Sequence, residues 1–280
     1  MIVLHQFEIS PFCDKIRRVL HVKRIPYEVR EIPPSRALTD LRRVNRIGKL
    51  PAIEDEGRVI ADSTDIADYL EQRFPDPPLL PKHPLERALV HVLEDWADES
   101  LYFYEMTLRF GLSHNRRRFL PELTKYDPPW FQRIAPFVMP VLFRHQTRTQ
   151  GVGRKPREML VRDVERHVAA IDGLVGDGEW LVGTSLTLAD IAVFAQMFCI
   201  RASDEGAEIV RGLPRVGAWM ERVDAATRSA ACTRSPRSRE LRCIPSTSRS
   251  APRCARQWHA RRGASAWRSP RRRRGSEATS

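Results

Sequence analysis

Between residues 74 and 84 the chain reads FPDPPLLPKHP, five prolines in eleven positions. Proline lacks an amide hydrogen and fixes φ, so neither a helix interior nor a central strand accepts such a run. No regular element crosses it, and the chain on either side must fold as separate pieces. The expected layout is a first domain over 1–76, a linker over 77–84 and a second domain over 85–228, both within the range of domain sizes.

The end of the chain forms a third piece. From Ser229 onward there are 14 Arg, no Lys and two acids, Glu240 and Glu277, so the whole formal charge of +12 lies there. Residues 1–228 then balance 33 basic against 33 acidic side chains, and the high pI describes the tail alone. Rich in Ser, Pro and Ala, residues 229–280 cannot bury enough apolar surface to offset ordering entropy and are expected to be disordered. Such a run reads either as an arm for nucleic acid or an anionic membrane, or as a solvated extension without a selected partner. The absence of Lys, and the lack of any period around Trp258 and Trp267, favour the extension.

Ahead of the linker the pattern alternates between strand and helix. MIVLHQF reads as a buried strand, and Phe12, Ile16, Val19 and Leu20 recur at helical spacing from Pro11 to Val22. PYEVREI alternates like a second strand, SRALTDLRRV is a short amphipathic helix, PAIED and RVIA flank a Glu56-Gly57 turn, and Ser63 to Arg73 is helical. Behind the linker everything regular reads as helix: one long helix over 85–110, another over 157–175, a nearly all-apolar one over 187–200 and a last one over 213–227. Residues 111–153, with clusters of Pro and Arg, give no clear element.

Residues 1–228 hold two cysteines, Cys13 and Cys199, too few for a disulfide framework. No secretory pattern and no apolar run near 18 residues is present, so no membrane partner and a cytoplasmic location are expected. His5 and His91 have no companions at metal-ligand spacing, so no metal is expected.

Four motifs stand in order: SPFC at the first helix, KLPAIED entering the third strand, ADS before the third helix, and LTLADIAVF in the helical half. With the β-α-β-α-β-β-α order, these strongly resemble the cytosolic glutathione transferases. The resemblance covers residues 1 to about 228. It implies a thioredoxin-like α/β N-terminal domain that binds glutathione as co-substrate, an all-α C-terminal domain for a small electrophile, and a homodimer.

Glutathione reacts through its thiolate, whereas a free thiol has a pKa near 8.5. Ser10, immediately before Pro11, is a natural helix N-cap, and a hydroxyl there joins the positive end of the helix dipole in holding a sulfur anion. Cys13 occupies the place of the second cysteine in a glutaredoxin-like CPFC, with Ser10 in place of the first. It reads either as a small buried hydrophobe or as the nucleophile of a glutathione-dependent thiol reductase. By the resemblance, Leu50 offers its backbone to the cysteinyl part of glutathione, Pro51 is cis, and Lys49 reaches the glycyl carboxylate. Arg46 stands where the family often has Pro, which leaves the preceding loop open. Asp62 and Ser63 open a helix whose N–H groups suit an anion; by the resemblance Ser63 takes the γ-glutamyl carboxylate and Asp62 the α-amino group. Thr187 and Asp190 form a capping box, with Leu186 and Ile191 as its hydrophobic staple, and serve folding; losing either box residue should cost about 1 to 2 kcal/mol. Trp96, Tyr102, Phe103 and Tyr104 are candidates for the electrophile's wall. A non-catalytic interaction protein on the same fold is the third reading.

Overall fold

The computed structural model describes residues 1–228; the expectations for residues 229–280 lie outside the described residues. Four strands, β1 (Ile2–Gln6), β2 (Tyr27–Glu31), β3 (Ala52–Asp55) and β4 (Arg58–Ala61), form one sheet in the order β2-β1-β3-β4. β1 runs parallel to β2 and antiparallel to β3, with Leu4 opposite both Val29 and Ile53. Glu56 and Gly57 both adopt positive φ (50° and 82°), the backbone that a tight two-residue hairpin between β3 and β4 requires.

Helices α1 (Pro11–Val22), α2 (Ala37–Val44) and α3 (Ser63–Arg73) complete this half. Ile16, Val19 and Leu20 of α1 and Ile66 and Leu70 of α3 are fully buried with Leu4 and Ile53 of the sheet, as the 3.6-residue spacing dictates. This is the expected thioredoxin-like β-α-β-α-β-β-α order.

The proline-rich connection is pinned rather than loose. Lys23, itself buried, donates to the carbonyls of Phe74 (2.7 Å) and Pro77 (3.1 Å) and pairs with Glu71 at 2.6 Å. Glu71 accepts from the amides of Leu79 and Leu80, and the Leu79 carbonyl accepts from Leu188 N–H at 2.9 Å.

The second half is all helical: α4 (Pro84–Trp96), α5 (Tyr102–Met106), α6 (Ser113–Leu123), α7 (Pro129–Gln150), α8 (Arg157–Val175), α9 (Leu188–Arg201), α10 (Asp204–Arg211) and α11 (Pro214–Thr227). Two expectations need correction. The single helix over 85–110 is interrupted: wide π turns at Ala97–Leu101 and Thr107–Gly111 flank α5 and re-aim its side chains. Residues 111–153, which gave no clear element, contain α6 and the 22-residue α7, with Pro121, Pro136 and Pro140 inside them. Each proline removes one helix bond, and Leu120, Ala135 and Met139 of these two helices are buried together in a small separate cluster. α10 had no forecast; its cap is Ser203, whose Oγ accepts from Gly206 N–H at 3.0 Å.

At the centre, α9 is buried at twelve of its fourteen positions, which is why it carries apolar residues all round. Asp190 accepts from Thr187 N–H (3.0 Å) and Thr187 Oγ (2.9 Å), and so forms the expected capping box. α1 lies against α9 and α11: Arg18 stands 4.3 Å over the Phe194 ring and donates to Asp224 (3.1 Å) and Thr227 (2.7 Å). Among the described residues no helix is long and apolar enough to cross a membrane.

Candidate active site

Strand register brings three of the sequence motifs to one end of the sheet. Ala52 pairs with His5 on one side and Ala61 on the other. The exit from β1, the Leu50-Pro51 peptide and the Asp62-Ser63 turn therefore share an edge, although about 50 residues of chain separate the first from the last.

The turn from Phe7 to Ser10 is held at every residue. Ser10 N–H bonds Phe7 O at 3.1 Å, Glu8 N–H bonds Glu31 at 2.7 Å, and Arg17 donates to the Glu8 carbonyl at 3.1 Å. From the helical half, Arg109 donates to the Ile9 carbonyl at 3.4 Å, while Lys125 and Tyr126 grip the Glu8 carboxylate. Burial favours protonation of Glu8, but those two donors and Arg17 outweigh it and hold its pKa below the usual range. Ser10 is the half-buried N-cap of α1 in extended backbone, and its hydroxyl makes no capping bond to the helix. It stands at the positive end of α1 beside the Cys13 thiol.

Cys13 is fully buried on the inward face of α1. Burial pushes its thiol up to about 11, against the opposing pull of Arg17, the Phe7 backbone and Ser10. A thiol of that kind stays protonated at neutral pH and packs as a hydrophobe.

The loop before β3 has its own anchor, which the sequence did not reveal. Asn45, buried at the end of α2, donates Nδ2 to the Lys49 carbonyl (2.9 Å) and accepts from Gly48 N–H (2.8 Å). Gly48 has φ +69°, a backbone that glycine adopts without strain. The amide clamp fixes the approach to Leu50-Pro51, whose peptide is cis. Pro51 is buried, Leu50 half-buried, and the Lys49 side chain exposed.

Asp62 caps α3, its Oδ1 accepting from Thr64 N–H at 3.0 Å, with φ +80°, unusual for a residue with a side chain. Asp65, three residues on, is exposed. The Ser63 hydroxyl turns inward: it accepts from Lys15 Nζ (3.3 Å) and donates to Asp98 Oδ2 (3.2 Å). Lys15 also donates to Asp98 (2.7 Å) and to Glu94, which accepts from Thr64 Oγ at 2.7 Å. Burial raises the Asp98 carboxyl to about 6 despite Lys15, with Glu94 adding to the effect. Burial alone would lower Lys15, but Asp98 and Glu94 outweigh it and raise its pKa. The sequence carried one signal of this cluster: Lys15 stands four residues before Val19 on the apolar stripe of α1.

Of the four aromatics on the interrupted helix, Tyr102 reaches this edge, its ring 4.8 Å from Phe12. Phe103 packs beside Tyr102 at 5.1 Å. Trp96 and Tyr104 turn away to pack on His167, and Tyr104 bonds Asp163. Thr187 and Asp190 lie at the start of α9 as structural groups. Among the described residues no group of three His, Cys, Asp or Glu could hold a metal ion.

The architecture is a thioredoxin-like domain carried on a helical one, with a cis-proline and two helix N-termini at one sheet edge. Residues 4–78 match the family model for the glutathione S-transferase N-terminal domain, and residues 128–222 match that for the C-terminal domain. The chain belongs to the cytosolic glutathione transferase superfamily. A stringent starvation protein A homologue from Pasteurella multocida is 34% identical over 90 residues, which span 30% of this chain and 42% of that protein. Protein LigF from Sphingobium sp. SYK-6 is 26% identical over 205 residues, 66% of this chain and 73% of LigF. The crystal structure of LigF, a beta-etherase, superimposes with a TM-score of 0.59 and 25% identity over 80% of this chain and 95% of that one. Human glutathione transferase theta-2, solved with glutathione, shares the fold at a TM-score of 0.57 and 20% identity, over 81% of this chain and 82% of that one. Membership supports a glutathione-transferase type of function.

Proposed function

We propose that the protein conjugates glutathione to an electrophilic small molecule. The convergence of Ser10, Leu50-Pro51 and Asp62-Ser63 on one sheet edge carries this reading. Ser10 donates its hydroxyl to the glutathione sulfur, and the α1 dipole adds to the field that favours the thiolate. A drop of two pKa units requires about 2.7 kcal/mol, within reach of one donor and a helix end. The thiolate then forms a C–S bond at the electrophilic carbon as the leaving group departs with its electron pair.

Leu50 supplies backbone partners for the cysteinyl part, Lys49 the charge for the glycyl carboxylate, and Asp62 the partner for the α-amino group. With the Ser63 hydroxyl engaged by Lys15 and Asp98, the N-terminus of α3 is the remaining source of donors for the γ-glutamyl carboxylate. The electrophile sits against Phe12 and Tyr102. Displacement at an ether carbon, in keeping with the beta-etherase to which the chain is similar, is one form of the same step.

A thiol reductase acting through Cys13 is disfavoured by its burial and raised pKa. A homodimer in the cytoplasm completes the proposal: α4 exposes Leu85, Leu89 and Val92 on one face, and β4 exposes Val59. Calorimetric titration of glutathione, with thiolate absorbance followed against pH, tests the reading. Binding with a lowered thiol pKa supports it; no binding leaves the non-catalytic interaction protein instead.

A further inference from the structure

Helix α7 leaves a face uncovered that chemistry at Ser10 does not use. Trp130, Ile134, Phe137, Val138, Val141 and Leu142 are all exposed, Phe137 by 78% and Val141 by 67%. Their spacing puts them along one side of the helix, opposite the buried Ala135, Met139 and Thr147. Contiguous exposed apolar surface of this kind marks an interaction site.

Charge identifies the occupant. From residue 128 to residue 157 there is no Asp or Glu. Arg133 flanks the apolar stripe, and its last two turns continue as Arg144, His145 and Arg148. With Val141, Thr149 and Arg154, these last three line an open groove of about 660 Å³. Among the described residues Arg133, Arg144, Arg148 and Arg154 have no carboxylate partner; Arg154 donates instead to the Arg148 carbonyl at 2.7 Å. Trp and Phe on one face, arginines beside them and no acid form the pattern of a helix that lies in the headgroup layer of a bilayer. Guanidinium groups suit phosphate oxygens, and a 22-residue helix offers about 33 Å of contact lying flat.

We propose that α7 is a peripheral docking helix that seats the protein on bilayers rich in anionic phospholipid. Trp130, Ile134, Phe137 and Val141 enter the acyl boundary, and Arg144, Arg148 and Arg154 hold headgroup phosphates.

Co-sedimentation of the full chain with phosphatidylcholine vesicles, with and without phosphatidylglycerol, tests this. Wild type partitions onto the anionic vesicles. Phe137→Asp with Val141→Asp lowers the partition coefficient about tenfold or more. Arg144→Gln with Arg148→Gln lowers it about fivefold per charge, on phosphatidylglycerol vesicles alone. Circular dichroism and glutathione affinity are unchanged in both variants, because all four side chains face solvent. Three results overturn the proposal: no binding by wild type; equal binding by the aspartate variant, which assigns the contact to the Arg-rich C-terminal residues; or vesicle-free self-association that the aspartate variant abolishes, which assigns the face to a second copy of the chain.

Discussion

Lys15 Nζ donates to Ser63 Oγ at 3.3 Å, joining the first turns of α1 to the first residue of α3 across 48 residues of chain. The same ammonium reaches Glu94 and Asp98 on the helical half. One buried cation therefore sets the Ser63 turn and ties the two halves together at the site.

Replacing Lys15 by Met should leave two carboxylates buried without their partner, at a cost of about 3 to 5 kcal/mol near neutral pH. The sign with pH follows from proton binding. Lys15 is raised in the folded state, so its contribution is complete below its unfolded pKa and is lost as pH climbs through the folded one. Asp98 is raised to about 6 by burial, so between its ordinary value of 3.8 and about 6 the folded state holds the extra proton and stability falls as pH rises. Without Lys15 the buried Asp98 carboxyl loses the charge that opposes its protonation and retains its proton to higher pH, so the variant should recover on acidification. Urea unfolding at about pH 5 and about pH 8 checks this; an equal loss at both values would remove the electrostatic account.

Ser10→Ala should return the bound glutathione thiol toward its free pKa and lower kcat/KM on the order of a hundredfold, as loss of an oxyanion donor does. Cys13→Ala should leave both unchanged at a stability cost of about 1 kcal/mol. In the native protein Cys13 should resist alkylation at pH 8, because its thiol is pushed up to about 11. Rapid alkylation of Cys13, with activity surviving in Ser10→Ala, would transfer the chemistry to the thiol.

Legibility in the sequence followed distance along the chain. Ser10-Pro11, the Glu56-Gly57 turn and Thr187 with Asp190 are caps and turns whose partners lie within a few residues, so local chemistry suffices to place them. The boundaries of α1, α3 and α8 follow from the same signals with apolar periodicity. Lys15 meets Glu94 and Asp98 across about 80 residues, and no local rule pairs them. The prolines of α7 mislead for a related reason: whether a helix survives them depends on what packs on its far side. Tyr102 and Tyr104 lie two positions apart on α5 and point to nearly opposite sides, so one faces Phe12 and the other His167, and which does which is set by packing between distant elements.

Asn45→Ala should free the loop that carries Leu50, since its amide bonds both Gly48 and Lys49. Two lost hydrogen bonds of about 1 kcal/mol each correspond to a glutathione affinity about five- to thirtyfold weaker, with the pKa of the bound thiol unaltered. Calorimetry separates the two quantities. A changed thiol pKa would mean that the loop also shapes the Ser10 end.

Asp190 does more than cap α9. Beyond Thr187, it accepts from Leu181 N–H at 2.8 Å and from Trp219 Nε1 at 2.9 Å, all in a fully buried setting. A capping box alone predicts about 1 to 2 kcal/mol for losing either member. Asp190→Ala strands three buried N–H groups, each costing about 1 to 3 kcal/mol, so about 4 kcal/mol or more is expected. Thr187→Ala removes one hydroxyl and should stay near 1 kcal/mol. Urea midpoints of the two variants decide the matter. Equal losses would reduce Asp190 to a local cap, whereas a gap of several kcal/mol identifies it as the pin that fastens α11 and the segment around Leu181 to the central helix.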